Sequence, residues 1–372
     1  MKKIVKALAL SGIVTCSLLA SDVVKIGVQA PITGKYANEG QSIDNFVKLL
    51  ANEKNAQGGL LGKKIEVVTC DDEAKAQKAA VCAKKLVNAG VIAVIGSYTS
   101  GATEAAQTTY YRNKVLQTSD GTSDSLIAKK YWTFFRNSFP NSSQSDFTAD
   151  YFVNQKKYER IVVLSDYSSY SDGLGTATEE SIKKIGGNVI FRGKIKSGTQ
   201  NFTAVLTKIK AMNPDVIYYS GYYTDGGLLR AQQIQLGIDA DFVGGDSNDN
   251  PDFYKLAGKA SAGTVIINFP TPEILPYKEA KKYLAAYKRE FGINPPSIWP
   301  VTNADGLRAI FNAVEETKSL DTKTISDYIR NDMKDFPGIT GPFNIREDGE
   351  RVGAKFVVYK LNNNGTKDVV GQ

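Results

Sequence analysis

The sequence predicts an α/β protein of two lobes, each a parallel-rich sheet covered by helices and joined to the other by more than one hinge crossover. Three observations carry this. The chain is 372 residues long with 42% hydrophobic content, which exceeds one typical domain and fills two cores. Short, near-continuously apolar runs alternate with helical stripes, as buried parallel strands alternate with their crossover helices. The alternation also pauses twice.

The runs are "VVKIGV", "KIEVVT", "VIAVI", "RIVVLS", "DVIYYS" and "GTVIIN", each too short for a helix and rich in β-branched residues. Between them lie stripes at helical spacing: Ile43, Phe46, Val47 and Leu50; Phe202, Leu206 and Ile209; Leu307, Ile310, Phe311 and Val314. Gly90, Gly186 and Gly237 close several helices, where a left-handed residue caps at least cost. The pauses fall at "FFRNSFPNSSQSDF", residues 134–147, and "NFPTPEILPY", residues 268–277, and indicate a chain that crosses between lobes more than once. The sequence holds no low-complexity tract and no short-period repeat.

The first twenty residues form a separate unit. Lys2, Lys3 and Lys6 precede the apolar run "ALALSGIVTCSLLA", and the small Ala20 precedes "SD", so residues 1–20 read as a cleaved signal peptide. The rival reading ends the leader at a lipidated Cys16, but Thr15 is large for the preceding position. Cleavage takes the formal charge from +7 to +4, with the remaining lysines scattered among acids, so no nucleic-acid partner is implied. It also leaves Cys70 and Cys82 as the only thiols, in an oxidising compartment where a disulfide between them is one reading. The other places Cys82 as a small apolar residue on the stripe Ala79, Cys82, Ala83, Leu86.

Counting cuts the catalytic options. The chain has no histidine, which removes Ser/His/Asp and Cys/His nucleophile systems and histidine-ligated zinc. "GVQAPITGKY" has six residues between Gly27 and Gly34 where a P-loop has four, and Tyr36 stands where the magnesium hydroxyl belongs. No G-x-G-x-x-G follows the first strand, so no dinucleotide cofactor is implied. "SYSDG", residues 169–173, lacks the first glycine of a nucleophile elbow and reads as a turn. "CDDE", residues 70–73, reads as acids capping a helix rather than a metal site.

Two strand-end loops remain. "VIGSYTSGATEAA", residues 94–106, runs from a buried strand through a glycine and hydroxyl loop into a helix, and "LQTSDGTSDSL", residues 116–126, repeats the pattern after the next strand. Ligands of open parallel sheets sit beyond the carboxyl ends of the strands, and helix N-termini favour anions. Ser100 and Thr122 thus suit a small carboxylate, although each loop alone is also an ordinary helix start.

At this point the chain resembles the periplasmic leucine/isoleucine/valine-binding family, the type I solute-binding proteins of ABC importers. The likeness covers residues 22–365, on "VKIGVQAPITGKYANEG", "NAQGGLLGKKIEVVTCDDEAKAQKAAVCAKKLV", "VIGSYTSGATEAA", "SDYSSYSDGLG", "VIYYSGYYTDGGLLRAQQ" and "GPFNIREDGE" in matching order. The resemblance implies two Rossmann-like lobes, residues 22–141 with 271–345 and residues 142–270 with 346–372. It puts Ser100 and Thr122 on the ligand carboxylate, Tyr170 and Tyr222 where second-lobe aromatics close on the ligand, and Asp246 on the ligand ammonium. The sequence departs from the family at Asp120, a carboxylate where the prototype has a small residue, and at Glu39, where it has an aromatic. Tyr36 and Trp299, with Glu39, are candidates for the pocket wall. The expectation is an exported, monomeric, non-enzymatic receptor without metal or cofactor. It closes on an amino acid, foremost a branched-chain one, and delivers it to a membrane permease. The alternatives are a sensory module of the same fold and a receptor for another small amino acid or amide.

Overall fold

The structure, a computed structural model, describes residues 23–353 and 355–372; the predicted leader, residues 1–20, lies outside the described residues. A first sheet contains β1 (Val23–Ala30), β2 (Lys64–Asp71), β3 (Ala93–Ile95), β4 (Leu116–Ser119) and β5 (Phe134–Arg136), in the order β2-β1-β3-β4-β5 and parallel throughout. A second begins with β6 (Ile161–Ser165), β7 (Val189–Lys194), β8 (Val216–Tyr219), β9 (Asp241–Gly244) and β10 (Val265–Asn268). The chain then forms a small antiparallel sheet of β11 (Phe336–Gly338), β12 (Gly341–Ile345) and β13 (Arg351–Val352). It returns as β14 (Val357–Leu361) and β15 (Lys367–Gly371), which extend the second sheet antiparallel from β10, giving the order β15-β14-β10-β9-β8-β6-β7.

The crossover helices are α1 (Ala37–Ala56), α2 (Ala76–Asn88), α3 (Ser100–Arg112), α4 (Ser125–Ala128), α5 (Asn141–Asp150), α6 (Ser169–Lys184), α7 (Thr203–Lys210), α8 (Tyr223–Gln235), α9 (Pro251–Ala257), α10 (Lys278–Phe291), α11 (Trp299–Thr317) and α12 (Thr322–Asp327). Their stripes pack as the periodicity requires: Ile43, Phe46 and Val47 of α1 and Leu307, Ile310 and Val314 of α11 are fully buried. Each such side chain contributes roughly 1.5–3 kcal/mol over its exposed state. Gly90, Gly186 and Gly237 all take positive φ at the ends of helices, as a left-handed cap demands.

Three local expectations are corrected. The pause at 134–147 holds β5 and α5; the buried face of α5 is polar, with Gln144 Nε2 donating to the Ile267 carbonyl at 2.9 Å, so no apolar stripe announces the helix. "SYSDG" is not a turn but the first turn of α6, capped by Ser168, whose Oγ accepts from the Ser171 amide at 3.2 Å. The acids of "CDDE" brace a turn rather than cap α2: Asp71 Oδ1 accepts from the amides of Ile32 and Glu73, both at 3.0 Å, and Asp72 Oδ1 from that of Ala74 at 2.9 Å. Among the described residues, no group of three or more acids or cysteines could hold a metal ion.

Cys70, on the edge strand β2, and Cys82, on α2, form a disulfide. Cys82 is also on the buried stripe with Ala79, Ala83 and Leu86, so both readings of this residue describe it. The bridge spans 12 positions of sequence. Closing so short a loop removes denatured-state entropy worth about 3 kcal/mol. Reduction is therefore expected to lower the denaturation free energy by up to that amount, measured by urea unfolding with and without dithiothreitol; coincident curves would contradict a stabilising bridge.

Candidate functional site

The carboxyl ends of β3 and β4 in the first sheet face those of β6, β8 and β9 in the second. The loops leaving them line a small cavity of about 10 Å³. Tyr98, Ser100, Asp120, Gly121, Thr122 and Trp299 line it from one side, and Tyr170, Tyr222 and Ser247 from the other.

Local sequence explains the first wall. Gly96 holds φ +109° beneath the Gln29 carbonyl, 2.0 Å from where a Cβ would stand, so only glycine turns the chain from β3 toward α3. Ser100 opens α3, where the first amides have no intrahelical acceptor and a partial positive charge collects. Its Oγ accepts from the Ser123 amide at 3.2 Å, which ties the two strand-end loops together and leaves its own hydrogen to donate. The fully buried Arg136 braces the second loop. Its guanidinium donates to the carbonyls of Gly121 and Ser123, and its Nε to Glu350 Oε1 at 2.7 Å.

The second wall is aromatic and acidic. Tyr170 and Tyr222 meet with ring centroids 4.9 Å apart. Asp246, fully buried after β9, accepts at Oδ1 from the Tyr170 hydroxyl and from Ser247 Oγ at 3.0 Å, while its Oδ2 has no partner. Burial outweighs those bonds and pushes its carboxyl up to about 6. Both oxygens of Asp120 and the hydroxyls of Thr122 and Tyr98 are likewise buried without partners. Burial, together with the charges of Glu39 and Asp246 and against the lowering effect of Asn303, raises the Asp120 carboxyl well above the usual carboxylate range. Such groups are costly unless something satisfies them, so this cluster is built for an occupant with both acceptors and donors.

The predicted residues divide accordingly. Ser100, Asp120, Thr122, Tyr170, Tyr222 and Trp299 come together around the cavity, and Asp246 lies at its edge behind Tyr170 and Ser247. Tyr36 and Glu39 do not line it. The Tyr36 ring packs 4.7 Å from that of Tyr222 and 5.6 Å from that of Tyr98, one layer back. Glu39 is a contact between lobes: Oε1 accepts from Asn250 Nδ2 at 2.6 Å and Oε2 from Ser297 Oγ at 2.7 Å. Sequence reasoning missed Tyr98 and Ser247. Tyr98 sits in the loop 94–106 and Ser247 directly follows Asp246, and the rule that ligands collect beyond strand carboxyl ends could have included both.

Other contacts join the lobes around the cavity. Asn38 Nδ2 donates to Asp252 Oδ2 at 2.9 Å, the Tyr223 hydroxyl to Asn38 Oδ1 at 2.8 Å, Lys35 Nζ to Ser197 Oγ at 2.7 Å and Ser169 Oγ to Ser123 Oγ at 3.2 Å. The structure is thus the closed form.

Comparison with known proteins decides the family. The model of the family described as periplasmic binding protein matches residues 23–366. The chain belongs to this family. Among its relatives, the Leu/Ile/Val-binding protein BraC3 of Rhizobium johnstonii is 28% identical over 92% of this chain and 92% of its own length. The Leu/Ile/Val-binding protein of Escherichia coli K12 is 27% identical over 94% and 93%. The leucine-binding protein LivK of Thermotoga maritima superposes with TM-score 0.86 at 28% identity, over 93% of this chain and 97% of that one. LivJ of Streptococcus pneumoniae, solved with isoleucine, gives TM-score 0.84 at 29% identity over 94% and 100%. As a periplasmic binding protein this chain has the two-lobed α/β architecture of those structures, and no described helix is long and apolar enough to cross a membrane.

Burial of Glu39 pushes its carboxyl from 4.5 to about 7, against the lowering effect of Ser297 and Asn250. A carboxyl raised in the closed form favours that form at low pH and opposes it once charged. The shift from the free value sets a ceiling of about 3 kcal/mol on what closure loses as pH rises from 4.5 through 7. Glu39→Gln is expected to make the protein more compact than wild type at about pH 8, and equal to it at about pH 4, read as radius of gyration by small-angle X-ray scattering. The same difference at both pH values would contradict this sign.

Proposed function

We propose that this protein is an exported, non-enzymatic receptor that closes its two lobes over an α-amino acid and delivers it to the membrane permease of an ABC importer. The observation that carries the reading is the opposed polarity of one cavity between the two sheets. Ser100, at the start of α3, and Thr122 line it from one lobe, and the unpartnered Asp246 Oδ2 lies at the edge of the other. A zwitterion satisfies both at once: its carboxylate takes the donors and its ammonium takes Asp246. The tyrosines and Trp299 supply apolar walls. The names of the relatives make leucine, isoleucine and valine the ligand class.

The two lobes, residues 22–141 with 271–345 and residues 142–270 with 346–372, act as the bodies that hinge, with ligand bridging them in the closed form. The leader of residues 1–20 directs the chain to the periplasm, where it works as a monomer without cofactor or metal.

A thermal-shift screen against the common amino acids, followed by calorimetric titration, tests this. Leucine, isoleucine or valine is expected to raise the melting temperature in a concentration-dependent way. Asp246→Asn removes the charge-assisted partner and should weaken binding by about 2 kcal/mol or more, whereas Ser100→Ala should cost about 1 kcal/mol, because the helix amides still hold the carboxylate. Folded Asp246→Asn protein that binds like wild type would remove the ammonium site, and with it the main support for the reading.

A further inference from the structure

The closed cavity carries a charge imbalance. Asp120 and Asp246 are both buried in or beside it, and its lining contains no lysine or arginine. The buried guanidinium that braces the Asp120 loop, Arg136, is committed to Gly121, Ser123 and Glu350. An amino-acid zwitterion brings one ammonium, which Asp246 takes through its single free oxygen. Asp120 then has two enclosed oxygens and no cation.

We propose that Asp120 closes over the ligand in its protonated form, so that the receptor takes up an amino acid together with one proton from solvent. The proposal rests on the amino-acid reading above. Protonation leaves Asp120 uncharged and turns one of its oxygens into an O–H donor, a third for the ligand carboxylate beside Ser100 and Thr122.

Burial and the neighbouring carboxylates favour this, against the lowering effect of Asn303. The titratable groups around Asp120 are Glu39 from α1, Asp246 after β9, Tyr98 before α3, Tyr170 on α6 and Tyr222 before α8; α11 contributes only neutral residues, Trp299 and Asn303. The carboxylates among them repel a charge on Asp120. The tyrosines stay neutral, because burial raises each of their hydroxyls above the usual range. Opening readmits water and lets Asp120 ionise, so closure and proton uptake are linked.

The test is calorimetric titration of leucine into the purified protein in two buffers of different ionisation enthalpy near about pH 7.5, which counts protons taken up. Asp120→Asn keeps the size and donor of the protonated acid, Asp120→Ala repeats the measurement without the side chain, and Glu39→Gln isolates the share of that second raised carboxyl. Wild type is expected to take up about one proton more than either Asp120 variant, and its leucine affinity to rise up to about tenfold per unit as pH falls from about 8 to about 6. Asp120→Asn should bind leucine more tightly than wild type at the upper end of that range. Equal proton uptake in wild type and both Asp120 variants would overturn the proposal. So would a cationic amino acid such as ornithine binding more tightly than leucine without proton uptake, since Asp120 would then pair with a ligand cation and the amino-acid reading would stand. Failure of every amino acid to bind would overturn the proposal together with that reading.

Discussion

Everything about this protein turns on buried carboxylates with oxygens that nothing in the fold satisfies. Asp120 and Asp246 are closed off from water between two lobes, and three of their four oxygens accept no hydrogen bond. Leaving such groups bare costs more than ordinary packing returns. A closed form that keeps them is therefore stable only with a guest that supplies donors or with protons that remove the charge. This constraint makes closure conditional.

The remainder of the architecture holds those groups in place. Arg136 is fully buried to pin the Asp120 loop through two backbone carbonyls, and Glu350, arriving from between β12 and β13, neutralises it. Ser297 donates to Glu39 and accepts from the Trp299 amide at 3.2 Å, so Glu39, which also meets Asn250, and the cavity wall share one hydroxyl. Polar pairs around the rim, among them Asn38 with Asp252 and Ser169 with Ser123, are small enough to break on opening and specific enough to fix the closed register.

Much of this was legible in the sequence wherever burial wrote a simple period. The apolar runs gave β1, β3, β6, β8 and β10, and the stripes gave α1 and α11, because those strands and one face of those helices meet the core; β2 was legible from its β-branched run alone, since this edge strand buries only Ile65. The period failed where the buried face is polar. The face of α5 with Gln144, Ser145 and Thr148 carries no apolar signal, and the hairpin β14–β15 joins the second sheet by a long return that no local pattern announces. In the site, Ser100, Thr122 and Tyr170 followed from strand-end loops and the family resemblance. Glu39 did not, because whether an acid faces a cavity or the opposite lobe depends on Asn250 and Ser297, both more than 200 positions away.

The central claim is that the two lobes divide the two ends of a zwitterion between them. A crystal structure of the protein grown with leucine tests it most directly. The account predicts the ligand carboxylate against Ser100, Thr122 and the first amides of α3, with the ammonium within hydrogen-bonding distance of Asp246 Oδ2. A ligand bound with the opposite polarity, or electron density for it anywhere but this cavity, would contradict it.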